Sequence, residues 1–153
     1  MHDGASLNTL YHKCKNYNKC GMVLLIRDTE GQVFGCYVSH AWKISPHYYG
    51  NGETFVFNTK ENGNGNGTGN EIQIHGWSRS NSLFQLASPN SLAVGGGAGG
   101  GFALFVESML EHGSSRRCAT FNSPALMDGE QFEIVVLETF ALVSSQRLVT
   151  QAE

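Results

Sequence analysis

The segment "MVLLIRDTEGQVFGCYVS", Met22–Ser39, contains the strongest fold signal in the chain. Two runs rich in apolar, β-branched and aromatic residues flank the tetrapeptide "DTEG", residues 28–31. An Asp at the start and a Gly at the end suit a short connection between antiparallel strands. The segment therefore predicts a β-hairpin.

A helix is predicted immediately upstream, in "SLNTLYHKCKNY". Its apolar residues recur at i, i+3, i+4 and i+7, namely Leu7, Leu10, Tyr11 and Cys14. This spacing places them on one helical face. Ser6 or Asp3 is available as the N-cap. We expect one amphipathic helix before the hairpin.

Downstream of the hairpin, short apolar segments alternate with turn signals and no helical pattern intervenes. They are "ETFVFN", "EIQIHGW", "SLFQLA", "SLAVGG", "GFALFVE" and the longer "FEIVVLETFALV". Residues 59–70 are rich in Asn and Gly and predict a flexible loop. Because "FALFV" and "FEIVVLETFALV" are apolar on both faces, we expect both faces to be covered. The predicted class is mostly β (α+β), a β-sandwich of two antiparallel sheets flanked by one or two helices.

Composition narrows the classes of function. The 153 residues suit a single domain, and the net charge of −3 with one adjacent basic pair gives no footprint for nucleic acid. The longest apolar run, "MVLLI", is too short to enter a bilayer as a spanning helix. The four cysteines form no CxxC pair, so we expect reduced thiols in a cytoplasmic protein without direct membrane insertion.

A glycine tract, "SLAVGGGAGGGFALFVE", formally contains GxGxxG at Gly95, Gly97 and Gly100. A dinucleotide site requires a helix after this motif, and a P-loop requires a lysine. A strand-like segment follows instead. We interpret Gly95, Gly96 and Gly97 as structural glycines in a tight connection, and we expect no bound cofactor.

The side chains that could carry chemistry form less specific sequence patterns than the strands do. The six histidines lack metal-ligand spacing, so no metal is expected. Cys118 follows Arg116-Arg117, whose charge favours a reactive thiolate, but a small buried hydrophobe is the competing interpretation. Glu53, Glu107 and Glu138 adjoin predicted strands, and two of them meeting in a cleft would suit acid–base chemistry. No catalytic motif is assembled, and we expect a protein that is not an enzyme.

Taken together, the segments resemble the TLDc domain family of the oxidation-resistance proteins. The resemblance rests on "HDGASLNTLY", "LLIRDTEGQVFGCYVS", "YYGNGETFVF", the glycine tract, "EHGSSRRCATFNSPAL" and "FEIVVLETFAL". It implies a β-sandwich that acts as a non-catalytic interaction module in oxidative-stress protection. It also implies binding and regulation of the vacuolar-type proton pump through soluble-sector or peripheral-stalk subunits. The implied location is cytoplasmic or peripheral to organelle membranes.

The resemblance also assigns candidate residues. Gly50, Gly52 and Glu53 match the family's YGxGExF motif, and Glu138 matches its terminal "LE". The motif HGxSxxCxTF is matched at His112, Gly113 and Cys118. Acidic residues that are usual before "HG" are reduced here to Glu107 and Glu111.

The chain is predicted to be one TLDc-like domain, residues 1–153, that lacks the family's N-terminal elements. Such a lack would leave apolar surface or a sheet edge exposed. The alternative function is a thiol-based antioxidant that uses Cys118 as its reactive sulfur.

Overall fold

The fold consists of one short helix and nine β-strands in the described residues, 6–61, 70–97 and 101–143 of a computed structural model. Helix α1 is Leu7–Cys14 and is followed by a 3₁₀ turn, Lys15–Tyr17. The strands are β1 Gly21–Asp28, β2 Val33–Val38, β3 Phe55–Glu61, β4 Asn70–His75, β5 Gln85–Ala87, β6 Ser91–Val94, β7 Leu104–Glu107, β8 His112–Ser114 and β9 Gln131–Leu142. The predicted mostly β class is confirmed.

The strands form one antiparallel sheet in the order β4-β3-β2-β1-β9-β8-β7-β6-β5. Strand β9 joins the two halves because its first residues pair with β8 and the remainder pairs with β1. The pairing of β9 with β1 contains a one-residue irregularity at Arg27/Asp28, close to the residues that pair with β8. The predicted division into two separate sheets is therefore not confirmed. The two halves form one sheet because β9 is long enough to pair with both.

The predicted helix and hairpin are both present. The Ser6 hydroxyl accepts a hydrogen bond from the Thr9 N–H at 3.4 Å, which identifies Ser6 as the N-cap of α1. The four apolar residues of the helical stripe are buried. Strands β1 and β2 pair around the predicted turn, where the Asp28 carboxylate accepts the Gln32 N–H at 2.8 Å. Asp3, the other N-cap candidate, lies outside the described residues.

A single hydrophobic core receives side chains from both halves of the sheet. Met22, Leu24 and Ile26 point into it from β1, and the alternation of β1 explains this because residues at i, i+2 and i+4 share a face. Buried residues of β6 and β7 reach the same core: Leu92, Val94, Leu104 and Val106. The helical stripe of α1 completes this core.

The other face of strands β4-β3-β2-β1-β9, which we call the outer face, is also largely apolar. Its paired rows include Phe140, Val23, Tyr37 and Phe55, and next to them Glu138, Leu25, Gly35, Phe57 and Ile74. Ile74 is 62% exposed and Phe140 48%. Within the described part of the chain the outer face is thus not covered, contrary to the expectation for "FEIVVLETFALV".

The predicted loop is shorter at its ends than its sequence suggested. Residues 59–61 belong to β3 and residue 70 to β4, because strand pairing continues to Glu61↔Asn70. Residues 62–69 lie outside the described residues. No helix in the described ranges has the length and hydropathy needed to cross a membrane.

Candidate functional site

The YGxGExF motif is anchored by buried Gln85. Tyr49 and Gln85 exchange two backbone hydrogen bonds, of 2.9 and 3.1 Å. The Gln85 side chain donates to the His40 carbonyl at 3.0 Å and accepts the His40 N–H at 3.3 Å. A buried amide with both functions satisfied rigidifies the segments that it joins. Sequence reasoning missed Gln85, since nothing in "SLFQLA" marks it as buried.

The two motif glycines, Gly50 and Gly52, pack against neighbouring side chains. Gly50 has φ +99°, and a Cβ there would lie 2.7 Å from the Gln85 Oε1 atom. A Cβ on Gly52 would overlap the Trp77 ring. Both residues therefore have a structural role, because neighbouring side chains approach the backbone too closely for a Cβ atom. Glu53 is exposed beside Tyr37, where burial and then the Glu53 charge raise the Tyr37 pKa.

Two glycines of the tract, Gly95 and Gly96, are buried. Gly95 has φ +81° and Gly97 has φ +122°, conformations that L side chains rarely adopt. A Cβ on Gly95 would lie 2.5 Å from the Cys118 Sγ, and one on Gly96 would lie 2.7 Å from the Tyr48 hydroxyl. The predicted structural role is consistent with this geometry. Gly100 lies outside the described residues.

Two backbone donors of the tract, at Gly95 and Gly96, are already occupied. The Gly95 N–H donates to the Phe84 carbonyl at 2.9 Å, and the Gly96 N–H donates to the Thr120 hydroxyl at 3.0 Å. The Tyr48 hydroxyl in turn donates to the Gly95 carbonyl at 2.9 Å. These two N–H groups are consequently not available to a phosphate, for which a cradle needs free donors.

Two buried hydroxyls of the HGxSxxCxTF motif hold adjoining loops together. The Ser115 hydroxyl donates to the Ala103 carbonyl at 2.6 Å and accepts the Leu126 N–H at 2.8 Å. The Thr120 hydroxyl, which accepts from the glycine tract, donates to the Asn81 Oδ1 atom at 2.8 Å. Sequence reasoning did not single out Ser115 or Thr120. Their position inside the motif was the available signal.

Cys118 is fully buried. Its thiol donates to the Gly96 carbonyl at 3.7 Å, and its backbone pairs with Ser123. Arg116 and Arg117 are exposed, and Arg116 lies 3.8 Å from Glu130. Reaction with peroxide requires an accessible thiolate. The structure provides no exposed sulfur at Cys118, and this geometry does not favour the antioxidant alternative.

Three of the predicted residues meet in an exposed groove of about 510 Å³, which we call the acidic groove. Glu107 ends β7, and His112 and Gly113 open β8, so the β7–β8 pairing brings them together. A Cβ on Gly113 would overlap the Phe105 carbonyl, which explains the glycine. The acidic groove also includes Asp28, Glu30, Asp128 and Glu133.

Charge in the acidic groove is predominantly negative. His112 and Glu133 lie 3.4 Å apart on paired strands, and their side chains are 50% and 65% exposed. Asp28 is buried and is used by the hairpin turn, where its carboxylate accepts the Glu30 N–H at 3.0 Å. The exposed carboxylates of this groove suit the recognition of a positively charged partner surface.

The remaining carboxylates lie elsewhere. Glu138 is exposed on the outer face opposite Leu25, and Glu53 lies beside Tyr37. No hydrogen bond or ion pair joins Glu53, Glu107 and Glu138 to one another in the described ranges. Nor do three or more described His, Cys, Asp or Glu residues form a group that could hold a metal ion. Acid–base chemistry by a pair of these glutamates gains no support.

Fold and site together define a class, a mostly β domain whose motif residues stabilise loops and whose charged candidates lie on the surface. The family model described as the TLDc domain matches residues 1–143. The chain therefore belongs to the TLDc domain family.

Named relatives share this domain. Nuclear receptor coactivator 7 from Mus musculus is 38% identical over 140 residues, which cover 92% of this chain and 14% of that protein. Oxidation resistance protein 1 from Homo sapiens is 38% identical over 138 residues, with coverages of 90% and 14%. Oxidation resistance protein 1 from Podospora anserina is 32% identical over 175 residues, with coverages of 92% and 50%. The chain thus spans half or less of each of these relatives.

Proposed function

We propose that this chain is a non-catalytic protein-interaction module of the oxidation-resistance type that binds and regulates the vacuolar-type proton pump. The observation that carries the proposal is the acidic groove, where Glu107 and His112 are accessible, whereas the thiol of Cys118 is buried elsewhere. Exposed charge on a rigid scaffold suits recognition of another protein.

The rigidity of the groove has an identifiable source. Glu107 and His112 lie at the ends of two paired strands, and the neighbouring Ser115 is fixed by two buried hydrogen bonds. A surface held in place loses little conformational freedom on binding, which favours affinity. Its negative charge also steers a basic partner toward it, with a rate that falls as salt rises.

The proposal also names the partner. Soluble-sector or peripheral-stalk subunits of the pump are proposed from the family resemblance. The name of the relatives, oxidation resistance protein, supports a role in oxidative-stress protection. On this proposal the module works in the cytoplasm, where it binds at the periphery of the organelle membranes that carry the pump.

A pull-down of the pump's soluble sector by the purified chain tests the proposal. We expect retention at low salt, and about a tenfold loss in the double variant Glu107→Gln/Glu133→Gln, because two carboxylates of the groove become neutral. The matched control is Glu71→Gln/Glu138→Gln, which removes the same charge from exposed positions outside the acidic groove.

Two outcomes contradict the proposal. Absence of retention by the wild-type chain at low salt removes the pump as partner. Equal loss in the groove variant and in the control variant indicates that only total charge matters, and the acidic groove is then not the binding site.

A further inference from the structure

Strand β9 has a hydrogen-bonding edge that the described residues use only in part. On one side it pairs with β1 along almost its whole length, from Ile134 to Leu142. On the other side β8 pairs only with residues 131–133, and the Ile134 N–H donates to the Glu111 carbonyl at 2.9 Å. Within the described ranges no strand pairs with residues 135–142 on that side. About eight residues, or roughly 25 Å of strand, therefore present an open edge.

A groove of about 410 Å³ runs beside this edge, between β9 and helix α1. From β9 it is lined by Leu137, Thr139 and Ala141, which point toward the core side of the sheet but are only half-buried. From α1 the lining residues include Leu10 and Lys13. We call this feature the β9 groove.

We propose that an extended segment of another polypeptide adds to the open edge of β9 as a further antiparallel strand, with alternate side chains in the β9 groove. This inference rests on the proposed interaction function and names a second contact for it. An open strand edge fixes the conformation of its occupant, because only an extended backbone meets successive edge N–H and carbonyl groups. Every second side chain of the added strand then points into the β9 groove.

The residues that line the β9 groove determine which side chains of the added strand fit into it. The β9 wall offers Leu137 and Ala141, so inward positions of the added strand are small and apolar. Among the described residues that line the groove, Lys13 alone carries a charge. An inward acidic residue opposite Lys13 therefore completes the complementarity.

The fold gives the position of that acidic residue. Cys14, the neighbour of Lys13, has its sulfur 3.4 Å from the Met22 sulfur, and Met22 pairs with Ala141. Lys13 thus lies toward the C-terminal end of β9. In a strand antiparallel to β9, the acidic residue belongs near the N-terminus of the added segment.

The probe is the synthetic peptide acetyl-Thr-Asp-Thr-Val-Thr-Val-Thr-amide, titrated into the ¹⁵N-labelled 153-residue chain. We expect saturable shifts of the amide resonances of residues 135–142 and of α1. A peptide with N-methyl groups on alternate backbone nitrogens, placed to remove the donors of one edge, is expected to bind at least tenfold more weakly, because it cannot complete the ladder. Replacing Asp by Lys in the peptide is expected to weaken binding about fivefold, and Lys13→Glu is expected to reverse that preference.

A variant that fills the groove provides a second measurement. Ala141→Arg projects a long side chain into the β9 groove and is expected to weaken peptide binding at least tenfold. Ala119→Arg, at an exposed position in a loop outside the β9 groove, is the matched control and is expected to bind normally. Thermal unfolding of both variants verifies that each is folded. If Ala141→Arg does not fold, the N-methylated peptide decides the question.

Several results overturn this inference. They are undiminished binding of the N-methylated peptide, shifts confined to other residues, and absence of binding at millimolar peptide. Slow hydrogen exchange in the free chain, at those amides of residues 135–142 that point away from β1, means that its own residues occupy the edge. A wild-type dimer that Ala141→Arg converts to a monomer identifies a second copy as the occupant. If the pump sector is retained while any of these results is obtained, the proposed function stands and only the β9 inference is lost. If the peptide binds but the pump sector is not retained, only the proposed function is lost.

Discussion

Substitution of Gly95 by Ala tests the structural interpretation of the glycine tract. Gly95 has φ +81°, and an added Cβ would lie 2.5 Å from the Cys118 Sγ and 3.1 Å from the Phe121 ring. The left-handed backbone costs an alanine about 1 kcal/mol. Forcing a methyl group into a packed core costs about 2 kcal/mol more. We expect Gly95→Ala to lower the free energy of unfolding by about 3 kcal/mol.

A matched control separates these two contributions. Gly31 has the same φ of +81°, but no described atom lies within 4 Å of the Cβ that an alanine would add. Gly31→Ala is therefore expected to cost only the backbone contribution, about 1 kcal/mol. Urea denaturation measures both, and for a chain of this size the 3 kcal/mol loss corresponds to a melting temperature lower by roughly 6–12 °C.

A double variant identifies the atom responsible. Cys118→Ala removes the sulfur that the new methyl group would meet, so the cost of Gly95→Ala in that background is expected to fall by at least 1 kcal/mol. The reasoning is refuted if Gly95→Ala costs no more than Gly31→Ala. Loss of binding to a phosphate ligand with unchanged stability would likewise restore the nucleotide-loop interpretation.

Three further predictions concern a hydroxyl, a thiol and an imidazole. Thr120→Val leaves the Gly96 N–H without its acceptor and is expected to cost about 1–3 kcal/mol in urea denaturation, whereas Thr120→Ser costs less; equal costs would contradict the hydrogen-bond argument. Cys118→Ser is expected to leave the rate of peroxide consumption unchanged, and a marked drop in that rate would revive the antioxidant alternative. Burial lowers the pKa of His75, so the unfolded chain binds a proton more readily and stability is lost as pH falls below about 6.5. The urea midpoint should therefore decrease from pH 7.5 to 5.5, and less so in His75→Gln; identical decreases would exclude His75 as the cause.

Local structure followed closely from the sequence. Strand β1 and its partner were predictable because "DTEG" joins two β-branched runs, and α1 because its apolar spacing fits one helical face. Strand β8, His112–Ser114, was missed. Three polar or small residues carry no apolar alternation, and this strand exists because its backbone pairs with β7 and β9.

Contacts between distant parts of the chain could not be predicted from the sequence in the same way. The apolar pattern of "FEIVVLETFALV" predicted a strand with two apolar faces, but it carries no information about which neighbours share that strand. Among the site residues, Glu107 and His112 were found by motif resemblance and are brought together by pairing. Gln85 was not found, because its importance depends on a partner 45 residues away, His40.

The shared strand β9 also governs when this chain is able to complete its sheet during synthesis. Strand β1 is made early, but its partner in β9 follows about a hundred residues later. At ribosomal rates of about 5–20 residues per second, β1 waits roughly 5–20 s for that partner. During this interval the β1 edge and its apolar side chains remain available to chaperones and to neighbouring nascent chains. The speed of translation through the segment between β1 and β9 therefore sets how long the folding chain is exposed.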